Sequence, residues 1–219
     1  MEYHQAQTQP PSGYATSPNP AYAQQSTVPQ SAVPRILHVY REGFTNRHIL
    51  ILDSDKRTPI YRIDANSGGL FSSKPHLRVH EAATNTEIAT ITFHSVSSDI
   101  DIVIRNRPIL LSKPGVFKSA HEFQSPATGG SFEWKSDGIF SGGDMICLDD
   151  RKQLVARFEK SAWAMKKKGK FELSGGITGE LMTEIVISGI ARVEYISRRK
   201  SSSSAAAGVG VGGAAGAAC

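Results

Sequence analysis

The 219-residue chain has only two cysteines, and the sequence offers neither of them a partner. Cys147 lies in the apolar run Met145-Ile146-Cys147-Leu148, the setting of a buried free thiol, and Cys219 ends a low-complexity tail. There is no Asn-x-Ser/Thr sequon and no apolar stretch at the N-terminus. These absences exclude a disulfide-built secreted module and set the expectation of an intracellular protein, cytoplasmic or peripheral to a membrane. A spanning helix needs about 20 mostly apolar residues, and the most apolar segment is interrupted by Glu184, Arg192 and Glu194. Cys219 does not sit in a C-a-a-X prenylation signal.

Chemistry-bearing motifs are equally scarce. No Ser stands in Gly-x-Ser-x-Gly, and no Gly-x-x-x-x-Gly-Lys-Ser/Thr loop is present to cradle a nucleotide. His76, His80 and His94 are close in sequence, but no Cys or carboxylate completes a tetrahedral ligand spacing around them. No helix-turn-helix, zinc finger or aromatic nucleic-acid motif accompanies the basic residues. The expectation is therefore a non-enzymatic protein with no cofactor, no metal and no nucleic-acid partner, acting as a monomer.

Residues 1–34 contain no Lys or Arg and are rich in Pro, Gln, Ser, Ala and Tyr, so they cannot bury enough surface to offset chain entropy. They read as a disordered leader, whose Pro10-Pro11 and neighbouring proline steps suit a proline-binding adaptor. Residues 201–219 read as a flexible Ser/Ala/Gly tail. The folded part is then 35–200, the size of one domain. It holds all 25 basic residues and all but Glu2 of the 20 acidic ones, a net charge of +6. Such an excess permits attraction to an anionic surface without demanding it.

Within that domain short apolar runs alternate with turn residues. Ala89, Ile91 and Phe93 alternate with Thr90, Thr92 and His94, and Ile100, Ile102 and Ile104 repeat the pattern. About twelve such strands precede Leu181–Ile196, where Met182, Ile185, Val186, Ile190, Val193 and Ile196 follow helical spacing. Ile187 and Ala191 widen the stripe, leaving Glu180, Glu184, Ser188 and Arg192 as one narrow polar seam expected to face water or an opening. Ser188-Gly189 also fits a turn between two strands. A chain of hairpins ending in a nearly all-apolar helix predicts a mainly β fold: a closed antiparallel barrel with the helix in its centre.

Pro59-Ile60-Tyr61-Arg62-Ile63, Ala89 to Ser95, Phe132 to Ser136, Leu154 to Phe158, Trp163, Lys170 to Leu173 and Thr183 to Gly189 resemble the tubby C-terminal-like proteins of fungi. These look like relatives of the LURP-one-related proteins and, more distantly, of tubby and the phospholipid scramblases. The resemblance covers about 35 to 197 and implies a twelve-stranded barrel around a hydrophobic C-terminal helix. Through tubby it implies phosphoinositide binding by basic residues, although none of those positions carries over one by one.

Two basic clusters are the candidate lipid-binding residues. Lys166, Lys167, Lys168 and Lys170 surround Gly169, which reads as a hairpin turn with Trp163 and Met165 beside it. Arg198, Arg199 and Lys200 follow the helix, where cations favour the dipole. If both clusters reach one rim they make a single positive patch, attracting anionic lipid at about 1 kcal/mol per residue. The expected function is peripheral association with anionic membrane lipid, the alternative being a protein-interaction adaptor that uses the barrel surface and the leader.

Overall fold

A computed structural model describes residues 33–43, 47–66, 75–115, 119–138, 143–161 and 166–207, with side chains to 201. The leader to residue 32, the tail from 208, and Trp163 and Met165 lie outside the described residues.

The elements run in order as β1 (Arg35–Glu42), β2 (His48–Leu52), β3 (Pro59–Ala65), β4 (Leu77–Glu81), β5 (Glu87–Phe93), β6 (Ile100–Ile104), β7 (Arg107–Leu111), β8 (His121–Gln124), β9 (Ser131–Ser136), β10 (Met145–Leu148), β11 (Leu154–Lys160), β12 (Lys167–Leu173) and α1 (Gly179–Ala207). Alternation makes the strands: Ile100, Ile102 and Ile104 are buried while Asp101 and Val103 between them are exposed. At the β6–β7 hairpin both Arg105 and Asn106 have positive φ, the requirement of a two-residue turn matched to strand twist.

β1 to β7 form one antiparallel meander and β8 to β12 another, and the pairing of β1 with β12 joins them into a twelve-stranded sheet. The free edges, β7 and β8, meet through one bridge, Ser112 with Glu122, closed by hydrogen bonds of 3.0 and 2.8 Å. The barrel is thus nearly closed, and its axis is filled by α1.

From Met182 to Val193 every residue of α1 is buried. Ile185, Val186, Ile187 and Ile190 lose all solvent contact, each worth about 1.5–3 kcal/mol by transfer. The helix passes so close to the wall that a Cβ on Gly189 would stand 2.7 Å from Phe171 and 2.8 Å from Trp134. Ser188-Gly189 is therefore helical, and not the turn that its sequence also allows.

Three expectations are corrected. The polar seam faces water only at Glu180: Glu184, Ser188 and Arg192 are at most 1% exposed and bond to the barrel wall, Arg192 beside a cavity. Ser125 Oγ–H and the Ala127 N–H (3.1 Å) donate to the Glu184 carboxylate, and Trp134 Nε1–H donates to Ser188 Oγ at 2.9 Å. Gly169 is no turn: it lies inside β12, opposite Val39 and Lys160, where a Cβ would meet the Glu159 carbonyl oxygen at 2.3 Å. The helix also runs to Ala207, past the domain boundary drawn at 200.

Candidate functional site

The lysine run acquires its geometry from an irregularity in β12. Its register against β1 shifts so that Val39 faces Gly169 while Tyr40 faces Lys167, leaving Lys168 as the extra residue of a β-bulge. A bulge re-aims side chains: Lys168 turns inward, its side chain 7% exposed, and forms an ion pair with Glu194 of α1. Burial, with Arg41, Lys160 and Arg198 pushing the same way, draws the Lys168 ammonium down to about 7. The Glu194 carboxylate, at contact range, acts in the opposite sense. Arg41 approaches the same carboxylate at 4.0 Å.

Lys168 also lines a cavity of about 290 Å3 at the end of the barrel where α1 emerges. Among the described residues six cations line it, Arg41, Lys160, Lys166, Lys167, Lys168 and Lys200, and no carboxylate does. Met145, Phe158, Val193 and Ile196 give it an apolar floor. Lys160, Lys166 and Lys167 form no ion pair among the described residues, so their charge is available to a ligand.

The two predicted clusters thus converge in part. Lys166, Lys167, Lys168 and Lys200 share one cavity. Lys170 does not join them, because it follows Gly169 on the outer face and pairs with Glu159 at 3.0 Å. Arg198 is half-buried with its guanidinium 4.7 Å from the centre of the Phe93 ring, and it lines neither cavity. Arg41 and Lys160 were missed in the sequence, since each is a lone cation at a strand end and only strand pairing brings them to the lysines.

A second cavity, of about 480 Å3, shares Gly143, Met145, Ile196 and Lys200 with the first. Arg199 lines it together with Lys113, His121, Tyr195 and the buried Arg192. Arg192 donates to the Trp134 carbonyl at 2.6 Å, the Ser119 carbonyl at 2.5 Å, His121 Nδ1 at 2.8 Å and Met145 Sδ at 3.2 Å. A guanidinium can only donate, so His121 Nδ1 is the acceptor; Nε2, 3.0 Å from the Ser98 carbonyl, then carries the proton. Burial above all, with Arg192 and Lys113 adding to it, pushes His121 down to about 4, against the bond to Ser98.

The histidines singled out in the sequence stand apart. His76 Nδ1 accepts from the Phe93 N–H at 3.1 Å, His94 lies 2.9 Å from Asp101, and His80 lies 3.7 Å from Asp64. Among the described residues no group of three His, Cys, Asp or Glu side chains could hold a metal ion. No described helix is long and apolar enough to cross a membrane.

Comparison with curated proteins gives no match. Among solved structures, the X-ray structure of a protein from Arabidopsis thaliana is similar at 11% identity and a TM-score of 0.44, over 76% of this chain and 93% of that one. A family model described as "Family of unknown function (DUF6593)" matches residues 44–199, from just before β2 through β12 and along α1 to Arg199, and the chain belongs to that family.

Proposed function

We propose that the protein is a non-enzymatic binding module that associates peripherally with anionic membrane lipid, taking the head group into the lysine cavity at the barrel end. One observation carries this reading: among the described residues, six cations and no carboxylate line the cavity. Each basic residue near an anionic surface contributes about 1 kcal/mol, so the cluster suffices for reversible attachment. The apolar floor of Met145, Phe158, Val193 and Ile196 suits the glycerol and first methylenes below a head group. The resemblance to tubby C-terminal-like proteins points to phosphoinositides as the lipid class.

Vesicle cosedimentation of the full chain tests it, with phosphatidylcholine vesicles that contain or lack a phosphoinositide, across a salt series. Binding should require the phosphoinositide, fade as salt screens the lysines, and fall sharply in the Lys166→Glu/Lys167→Glu variant. Those two residues are chosen because Lys168 is committed to Glu194 inside the barrel. Retained binding in the variant, or binding indifferent to salt, would overturn the proposal.

A further inference from the structure

The sequence holds one Arg-Arg pair, Arg198-Arg199, and Lys200 and Ser201 follow it. Ser201 thus has arginine at both the third and the second position before it, a pattern that no other Ser or Thr of the chain shares. Basophilic protein kinases read that pattern, because carboxylates in their substrate grooves match two guanidiniums at fixed spacing. The structure places the motif where an enzyme reaches it. Along α1, Ile190 is fully buried, Ser197 and Arg198 are partly buried, and Arg199, Lys200 and Ser201 are exposed. Arg198 is held by its contact with the Phe93 ring and by no ion pair among the described residues. Serine is a weaker helix former than alanine and helix ends fray, so the segment from Ser201 to Ser204 opens readily into the extended form that a kinase groove takes. The same face of the helix walls the lysine cavity. Val193, Ile196, Ser197 and Lys200 line it, and the Ser201 hydroxyl donates to the Ser197 carbonyl one turn below at 2.8 Å. Position 201 therefore stands about 5.4 Å, one helical turn, beyond the cavity wall.

We infer that Ser201 is the acceptor of a basophilic protein kinase, and that its phosphate folds onto Lys160, Lys166 and Lys167 and occupies the lysine cavity against external anions. The co-reactant is ATP. The Ser201 oxygen bonds to the γ-phosphorus as the bond to the β-phosphate oxygen breaks, ADP leaves, and the hydroxyl proton passes to the base of the kinase. The phosphate brings a charge of about −1.5 to −2 and three acceptor oxygens. Lys160, Lys166 and Lys167 line the cavity and form no ion pair among the described residues, so they are the cations that answer it. Tethered one turn from the wall, the phosphate has an effective concentration on the order of millimolar. The occupancy rests on the proposed reading of this cavity as an anion site; the phosphorylation does not.

The experiment incubates the full chain with ATP and the catalytic subunit of cAMP-dependent protein kinase, and maps the product by mass spectrometry. One phosphate should appear, on Ser201. Ser201→Ala should abolish it, and Arg199→Ala should slow it about tenfold, the worth of one charge-assisted hydrogen bond. Absence of phosphorylation, a phosphate on another residue, or an undiminished rate in Arg199→Ala would each overturn the assignment. Phosphorus NMR then follows the titration of the phosphoserine, whose second ionisation ordinarily lies at about 6. Contact with the lysines should hold that midpoint below its value in the phosphorylated Lys166→Glu/Lys167→Glu variant; equal midpoints would overturn the occupancy. Neither readout involves lipid, so both stand or fall apart from the membrane reading. On phosphoinositide vesicles the phosphorylated chain should bind on the order of tenfold more weakly than kinase-treated Ser201→Ala, because the phosphate offsets about two lysines. Equal affinity of the two would overturn the regulatory role.

Discussion

At His121 a single proton decides how well Arg192 is held. The neutral ring donates from Nε2 to Ser98 and accepts from Arg192 at Nδ1; a second proton would remove the acceptor and set two cations 2.8 Å apart. The folded-state value of about 4 lies below the ordinary 6.5, so the unfolded chain binds the extra proton first. Stability from this group is complete above pH 6.5 and is lost as pH falls towards 4, on the order of 3 kcal/mol for a shift of this size. His38 and His76, both lowered mainly by burial, act in the same direction. The urea midpoint should therefore fall between pH 6.5 and 4, and His121→Gln, whose amide oxygen can still accept from Arg192, should flatten part of that slope. An unaltered slope would show that His121 is not the titrating group. Two glycines give a second test at this scale. A Cβ on Gly189 meets the rings of Phe171 and Trp134, which can shift, whereas one on Gly169 meets a backbone carbonyl, which cannot. Overpacking costs about 1–3 kcal/mol, so both alanine variants should lower the denaturation midpoint, Gly169→Ala by more; the reverse order would contradict the close approach of β11 and β12.

Elements were legible in the sequence wherever one rule governed them. Alternation fixed the strands, as in Ile100, Ile102 and Ile104, and the spacing of Met182, Ile185, Val186 and Ile190 located the helix. What stayed hidden depended on one element meeting another. Glu184, Ser188 and Arg192 form a polar stripe whichever way it points, and only the presence of Ser125, Trp134 and Ser119 on the wall shows that it points inward. Likewise Gly169 reads as a turn until its place opposite Val39 is known, and no local signal announces a bulge that sends Lys168 to the core while Lys170 stays outside. The bulge makes a prediction of its own. Removing one partner of a buried ion pair strands the other, a loss of about 3–5 kcal/mol, whereas replacing both with apolar groups is often neutral. Lys168→Met should therefore destabilise strongly, Lys168→Met/Glu194→Leu should recover most of the loss, and Lys166→Glu should leave the thermal midpoint near wild type. Equal effects at Lys166 and Lys168 would mean that the bulge does not invert the side chain.

For the whole molecule, the unusual feature is how the barrel closes. Eleven of its twelve junctions are ladders, and the twelfth, between β7 and β8, has among the described residues a single bridge, at Ser112 and Glu122. The polar stripe of α1 lies along this seam. Glu180 holds Arg107, the first residue of β7, at 2.7 Å, Glu184 accepts from the Ser125 hydroxyl and the Ala127 N–H just after β8, and Arg192 donates to the Ser119 carbonyl just before it. Polar bonds to the helix thus replace part of the missing ladder, which explains why an otherwise apolar helix keeps four polar residues on one line. Weakening the stripe should loosen the seam before the rest, because local openings follow the least protected contacts. Glu184→Gln keeps the side-chain volume and removes the charge that both donors of the β8 end share. Native-state hydrogen exchange should then quicken at Ser112, Glu122 and the adjoining amides of β7 and β8, while the amides shared by β1 and β12 keep wild-type protection. If protection fell equally across the sheet, α1 would be acting only as an apolar plug, and closure would belong to the strands alone.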